Sequence, residues 1–154
     1  MEKAVFYREL CAKLEALIGE ERDWLANLAN TAALLYQELP RINWVGFYLL
    51  KGDELVLGPF QGKPACIRIA MGKGVCGQTA LHRKAHVVPD VHEFAGHIVC
   101  DPASRSEVVV PLEYAGRLIG VLDIDSPELA RFDSADADGL TEVAKILVER
   151  CLWE

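Results

Sequence analysis

Two neighbouring strands are predicted by the segment EVVVPLEYAGRLIGVLDID, residues 107–125. Apolar and β-branched residues, which favour strands, run from Glu107 to Leu112 and again from Leu118 to Ile124. The short polar segment between them, residues 113–117, predicts the turn of an antiparallel hairpin. Because side chains alternate along a strand, one apolar face is expected to carry Leu118, Gly120, Leu122 and Ile124. The segment therefore predicts the central hairpin of a sheet with at least one buried face.

The opposite face of this hairpin carries acidic side chains. Asp123 and Asp125 alternate onto it together with Val121, and they should lie roughly 7 Å apart along the strand. If the two strands pair as a hairpin, Glu107 lies across from them. A solvated surface would also explain this pattern. Clustered carboxylates, however, raise at least one pKa by like-charge repulsion, which suits proton donation or the binding of an ammonium group.

The rest of the chain adds helices at both ends and shorter strands between them. Amphipathic helices are predicted over residues 5–17, ended by Gly19, and from residue 20 or 21 to Leu39, before Pro40. The remaining elements are strands over 42–50, 55–60, 66–70 and 86–88, a short helix over 75–82 and a closing helix to about Leu152. We therefore predict an α+β fold, in which a central antiparallel sheet of about six strands has the N- and C-terminal helices packed on one face. Residues 1–154 are expected to form one domain.

Composition and charge argue against several functions. The net charge of −7 argues against nucleic-acid binding, because no basic patch is available to neutralise phosphates. The chain contains no stretch of about 18 apolar residues, so no membrane span is predicted. The first residues do not resemble a signal peptide, and five cysteines without a secretory signal indicate a reducing compartment, here the cytoplasm.

Three cysteines, Cys66, Cys76 and Cys100, end or interrupt apolar segments in the middle of the chain. Such thiols are compatible with a structural disulfide, with a zinc site or with a redox cycle of one attacking thiol and one or two resolving thiols. An odd number of cysteines argues against a closed disulfide framework, and no Cys-x-x-Cys pair or zinc-finger histidine spacing supports a metal site. We interpret the remaining two, Cys11 and Cys151, as ordinary thiols on the terminal helices.

Aromatic residues and glycines suggest where a small ligand would bind. Trp44 and Tyr48 alternate onto one face of the first strand with Gly46 between them, which predicts a slot with room at its floor. Plain core packing is the alternative interpretation. The glycine-rich turn over residues 71–77 opens a short helix whose backbone N–H groups are able to bind a carboxylate, although a simple flexible turn explains the glycines equally well.

The chain resembles the free methionine-(R)-sulfoxide reductases, which are single GAF domains. The resemblance covers nearly the whole length. It is carried by NWVGFY (43–48), LGPFQG (57–62), ACIRI (65–69), GVCG (74–77), VPDV (88–91), HIVCD (97–101), SRSE (104–107) and LDIDS (122–126). Generic GAF domains share the sheet and the last of these motifs but not the three cysteines, which makes the resemblance specific.

The resemblance implies a reaction and a role for each matched residue. The reaction is reduction of free L-methionine (R)-sulfoxide, with Cys100 as the attacking thiol, Cys66 and Cys76 as the resolving pair, and thioredoxin or a similar dithiol as reductant. Glu107, Asp123 and Asp125 would surround the sulfoxide oxygen and the substrate amine, and Trp44 and Tyr48 would form part of the pocket wall. No metal or organic cofactor is expected, because sulfur supplies the electrons.

Several alternatives stay open at the level of sequence. Glu107 is the first choice for the acid that protonates the leaving oxygen, and a rival assignment gives this role to Asp125, which the sequence does not separate from it. Either Cys66 or Cys76 could resolve a sulfenic acid on Cys100. A GAF-type sensor of small ligands or redox state, a zinc-bound structural domain and a peroxidase-like activity are the competing functions. The apolar terminal helices also suggest a homodimer, although packing on the sheet explains them too.

Overall fold

The computed structural model describes residues 1–98 and 100–153; Val99, part of the HIVCD motif, and Glu154 lie outside the described residues. The strands are β1 (Trp44–Lys51), β2 (Glu54–Gly62), β3 (Arg68–Ala70), β4 (His86–Val88), β5 (Ser106–Tyr114) and β6 (Arg117–Ser126). Within the described residues these six strands form one sheet in the order β3-β2-β1-β6-β5-β4, and each neighbouring pair is antiparallel. The predicted α+β fold with a central antiparallel sheet is confirmed.

The helices are α1 (Lys3–Ile18), α2 (Trp24–Glu38), α3 (Gly74–His82) and α4 (Ser134–Arg150). As predicted, the N- and C-terminal helices pack on one face of the sheet, where they bury a large apolar core that includes Leu28, Val110 and Leu147. The second helix begins later than predicted because Asp23 caps it, accepting a hydrogen bond from the third residue beyond it. Within the part of the chain that the structure describes, no helix is both long and apolar enough to cross a membrane.

The opposite face of the sheet is covered by α3 and by the connection between β4 and β5. A second, smaller apolar core fills this side, with Val75 and Ala80 of α3 packed near Val109 and Val121 of the sheet. The sheet therefore has two buried faces, and only the one beneath α3 also carries the acidic side chains of the central hairpin. This arrangement places the candidate site between the sheet and α3.

One prediction for the central hairpin is wrong. Leu118 was expected on the same face as Leu122 and Ile124, but it packs in the smaller core beneath α3. The pairing explains the difference, because Leu112 lies opposite Gly120 whereas Glu113 lies opposite Leu118, leaving Ile119 as an extra residue. Such a β-bulge reverses the alternation on one side of it. The acidic part of β6 lies beyond the bulge and keeps the predicted alternation.

Candidate active site

Three carboxyl groups meet on the face of the sheet that α3 covers. Glu107 on β5 pairs with Asp125 on β6, and Val109 pairs with Asp123, so all three acidic side chains lie on one side of neighbouring strands. The exposed fractions of Glu107, Asp123 and Asp125 are 7%, 5% and 9%. The solvated-face interpretation of these residues is therefore wrong, since the group is buried within the fold.

The first turn of α3 brings a thiol to these carboxyl groups. The sulfur of Cys76 and a carboxylate oxygen from each of Glu107 and Asp123 all lie within 4.8 Å of one another. A Cβ at Gly77 would lie 2.6 Å from the carbonyl oxygen of Ala70, so this glycine lets the first turn of α3 pack closely against the turn that follows β3.

The electrostatics of this cluster are those of buried acids without a positive partner. Burial, followed by the charge of Asp123, raises the pKa of Glu107 well above its usual value. Burial raises the pKa of Asp123 and of Asp125 as well, with further increases from the charges of Asp125 and Glu107 respectively. Burial also raises the pKa of the Cys76 thiol. The cluster therefore favours protonated groups, which can donate a proton or give way to a bound cation.

The described residues include three buried side-chain polar atoms without a hydrogen-bond partner, and one of them belongs to this cluster. The ion pairs among the described residues do not include Glu107, Asp123 or Asp125. The Oδ1 atom of Asp123 is buried and has no hydrogen-bond partner. A buried polar atom without a partner is costly, so this oxygen is expected to take a water, an ion or a ligand group as its partner.

A disulfide joins Cys66 to Cys100, with 5.5 Å between the Cα atoms, and Cys100 lines the same pocket as the acidic cluster. It connects the segment before β3 with the loop before β5, across 34 residues of sequence. The third strand begins at Arg68, two residues later than predicted, so Cys66 lies before the strand and not within it. Of the two candidate resolving thiols, Cys66 is thus the one bonded to Cys100, whereas Cys76 is a free thiol. Cys11 on α1 and Cys151 after α4 are also free, and both lie away from the pocket.

A polar contact that sequence reasoning missed holds the loop that carries Cys100. The side-chain nitrogen of Asn43 donates to Asp101 Oδ2 at 3.1 Å and to Ser104 Oγ at 3.0 Å. The backbone N–H of Asn43 also donates to the carbonyl oxygen of Asp125, at 3.0 Å. Asn43 therefore links the disulfide loop to the acidic strand. Asn43 lies in the NWVGFY motif, which was the one feature of the sequence that pointed to it, but nothing near it in the sequence indicates its hydrogen-bond partners.

The aromatic wall is present, but its predicted open slot is not. Trp44 and Tyr48 stack with their ring centres 6.0 Å apart, and the Tyr48 hydroxyl donates to the carbonyl oxygen of Cys66 at 2.8 Å. The space above Gly46 is filled, since a Cβ there would lie 2.6 Å from the Trp44 ring and would overlap Phe60. The glycine therefore admits the indole, which also stacks on Phe60, rather than a ligand.

The pocket bounded by these groups is small while the disulfide is closed. Its cavity measures about 50 Å³, and its lining includes Trp44, Tyr48, Cys76, Cys100 and the three acidic side chains. The loop adds His97 and Ile98, and the turn before α3 adds Lys73. All three lie within the glycine-rich turn or the HIVCD motif, but no place in the pocket was predicted for them, because no local pattern shows which loop residues fold over a sheet.

Comparisons with known proteins agree with this architecture. The family model described as GAF domain matches residues 16–149. A free methionine-R-sulfoxide reductase of Escherichia coli is 52% identical over 143 residues, which is 93% of this chain and 87% of that protein. The structure of a free methionine-R-sulfoxide reductase from Neisseria meningitidis, in complex with its substrate, is 53% identical and covers 97% of this chain and 90% of its own, with a TM-score of 0.93. A substrate complex of the Staphylococcus aureus protein is 49% identical, covers 94% of both chains and has a TM-score of 0.90.

A sheet of this strand order, with a buried site beneath a short helix, defines a GAF domain, and the chain belongs to that family. Within the GAF domains it belongs to the free methionine-R-sulfoxide reductases, as the extent of these similarities shows. The family resemblance predicted from the cysteine-bearing motifs is confirmed.

Proposed function

We propose that this protein reduces free L-methionine (R)-sulfoxide to L-methionine. The observation that carries the proposal is the meeting of a Cys66–Cys100 disulfide and a buried cluster of acids in one pocket. A thiol pair supplies two electrons, and the acids supply the proton and the ammonium site that a sulfoxide-bearing amino acid requires. The names of the similar proteins from Escherichia coli and Neisseria meningitidis support the same reaction.

The reaction begins with attack of the Cys100 thiolate on the sulfoxide sulfur. Because oxygen leaves poorly as an oxide, Glu107 protonates it, and Asp125 remains the alternative donor. The S–O bond of the substrate breaks, the protonated oxygen passes to the Cys100 sulfur to give a sulfenic acid, and methionine departs. The Cys66 thiol then forms the disulfide with Cys100 and water is released, so two thiols are oxidised while one sulfoxide is reduced. Thioredoxin or a similar dithiol restores both thiols by exchange.

The acidic cluster is proposed to bind the substrate ammonium. Asp123 and Asp125 would accept it, and the lack of a cationic partner for these acids supports this role. The N–H groups in the first turn of α3 would receive the substrate carboxylate, because Gly74 and Val75 line the same pocket. Trp44 and Tyr48 would contact the apolar part of the side chain. Enclosing both the amine and the carboxylate excludes methionine sulfoxide within a peptide.

The roles of the two resolving candidates differ in this proposal. Cys66 closes the first disulfide, and its bond to Cys100 supports that assignment. Cys76 stays a thiol within the acidic cluster at this stage and serves as the second resolving position. Because the cavity measures only about 50 Å³ with the disulfide closed, substrate is proposed to enter after the disulfide has been reduced.

Three further parts of the proposal concern the protein's surroundings. The thiol cycle requires a reducing compartment, and we propose the cytoplasm. Thioredoxin is the proposed reductant because a dithiol is needed to open Cys66–Cys100. Homodimer formation through the terminal helices remains a prediction, which size-exclusion chromatography with light scattering would test.

The experiment couples turnover to NADPH oxidation through thioredoxin reductase and thioredoxin. Free methionine (R)-sulfoxide, its S epimer and a peptide containing the R-sulfoxide are supplied separately. Turnover is expected with the free R epimer alone, and Cys100→Ser should reduce it by about a thousandfold or more, because the nucleophile is lost. Cys11→Ser is the matched control, since Cys11 lies outside the pocket. Absence of turnover by the folded, reduced protein would contradict the proposal and favour a sensor.

A further inference from the structure

We propose that Cys76, Glu107 and Asp123 form an inhibitory binding site for a thiophilic divalent cation, namely zinc, in the place where the substrate ammonium is proposed to bind. The site therefore rests in part on the proposed function. Its ligand atoms lie within 4.8 Å of one another and come from three separate elements, α3, β5 and β6. Atoms of this spacing can approach one ion at the roughly 2.0–2.3 Å that zinc requires with small side-chain movements.

Two independent observations point to a cation at this position. Asp123 is only 5% exposed, and its Oδ1 atom is buried without a hydrogen-bond partner. The adjoining cavity of about 50 Å³ has room for a dehydrated ion with a water beside it. Asp125, paired with Glu107 across the hairpin, or that water would supply the fourth ligand of a tetrahedral zinc ion.

The donor set selects the type of metal. A thiolate is a soft ligand that zinc accepts readily, whereas magnesium and calcium prefer oxygen ligands alone. Calcium also requires six to eight oxygen ligands and magnesium a near-octahedral set of oxygen atoms, whereas this cluster offers one sulfur and two carboxylates.

The consequence is mutual exclusion of metal and substrate. Asp123 would have to accept both the zinc ion and the ammonium group, so only one of them can be bound at a time. Because Cys76 would be held as a thiolate by the metal, it would also be withheld from any resolving step.

The test measures zinc affinity directly and does not depend on turnover. Zinc is titrated into the protein with its Cys66–Cys100 disulfide closed, in competition with a chromophoric chelator. One equivalent should bind to the wild-type protein and to Cys11→Ser. Cys76→Ser and Asp123→Asn should each weaken binding at least about tenfold, the loss that follows even from removing an outer partner of a metal ligand. Circular dichroism establishes that each variant is folded.

Cobalt provides a second readout, because a thiolate bound to Co²⁺ gives a charge-transfer absorption in the near ultraviolet. The band should appear in the wild-type protein and in Cys11→Ser, and it should be absent from Cys76→Ser. Absence of the band from the wild-type protein, or equal zinc affinity of the wild-type protein and Cys76→Ser, would overturn the proposal.

A competition experiment separates this inference from the proposed function. The double variant Cys66→Ser/Cys100→Ser leaves the pocket open with Cys76 as its thiol, and methionine is added to it together with zinc. Methionine should raise the apparent dissociation constant for zinc more than glycine does at equal concentration, glycine correcting for chelation by the free amino acid. Tight zinc binding that methionine leaves unchanged would support the metal site and contradict the proposed ammonium position.

Discussion

Buried acids lie on both sides of the sheet, and their neighbours differ. On the side of the terminal helices, Asp136 at the start of α4 is 1% exposed. It accepts hydrogen bonds from the Tyr7 hydroxyl at 2.7 Å and from Lys3 Nζ at 2.6 Å, and Arg131 Nη1 lies 3.7 Å away. It also accepts from the backbone N–H of Asp133, which completes the capping box of the helix.

On the side of α3, Glu107, Asp123 and Asp125 are buried to a similar degree and lie beside one another. Their nearest polar neighbours are further acids and the Cys76 thiol, and the Oδ1 atom of Asp123 has no partner. Burying an unpaired charge is far more costly than burying a paired one. A paired buried acid therefore indicates a structural role, whereas an unpaired cluster beside the Cys66–Cys100 disulfide indicates a site that is able to take a ligand.

The largest expected effect concerns activity on the α3 side. Glu107→Gln should lower turnover of free methionine (R)-sulfoxide about a hundredfold to ten-thousandfold, because the amide cannot protonate the departing oxygen. Glu113→Gln is the matched control, since Glu113 lies on the same strand but is exposed. The coupled NADPH assay measures both. Full activity of Glu107→Gln together with loss of activity in Asp125→Asn would transfer the acid role to Asp125.

The next effect concerns stability on the side of the terminal helices. Asp136→Asn should lower the free energy of unfolding by roughly 3–5 kcal/mol, because it leaves the buried Arg131 without its counter-ion. Asp138→Asn, at an exposed position on the same helix, should change it by less than about 0.5 kcal/mol. Urea unfolding of the two variants gives the comparison. Equal stability of the two would show that the pairing of Asp136 contributes little.

The smallest effect is a gain in stability when Asp123 of the acidic cluster is replaced by Asn, and this gain grows with pH. Burial, then the charge of Asp125, raises the pKa of Asp123 in the folded state above its unfolded value of about 4. The folded state therefore binds more protons than the unfolded chain, and stability falls as pH rises from about 4 through the raised pKa. Asp123→Asn removes this loss, so its advantage over the wild-type protein should increase towards pH 8 and reach about 1 kcal/mol.

Urea unfolding at several pH values, with a chelator present to exclude metals, measures this gain. Asp138→Asn serves again as the control and should show no such trend. An Asp123→Asn variant that is less stable than the wild-type protein at pH 8 would mean that Asp123 has a partner in the folded protein, and the contrast between the two sides of the sheet would no longer hold.

Sequence patterns predicted the central hairpin and its acidic face because both follow from an alternation of period two, which is local. The same alternation failed at Leu118, because the bulge at Ile119 depends on how β5 and β6 meet at their turn. At Gly46 the alternation is correct, but the expected opening is filled by Trp44 and by Phe60 from the neighbouring strand. Local periodicity thus predicts which face a residue occupies where the strand has no bulge, but not what fills the space above it.

The sequence by itself determined the α+β class, the helices on one face, the acidic hairpin and the family to which the chain belongs. Those properties depend on apolar periodicity, capping residues and short motifs, each contained within a few consecutive residues. Only the tertiary structure decided that Cys66 rather than Cys76 bonds to Cys100, that Cys76 lies beside the acids, and that Asn43 holds the disulfide loop. These depend on which distant segments the fold brings within bonding distance, and spacing along the chain does not specify that distance.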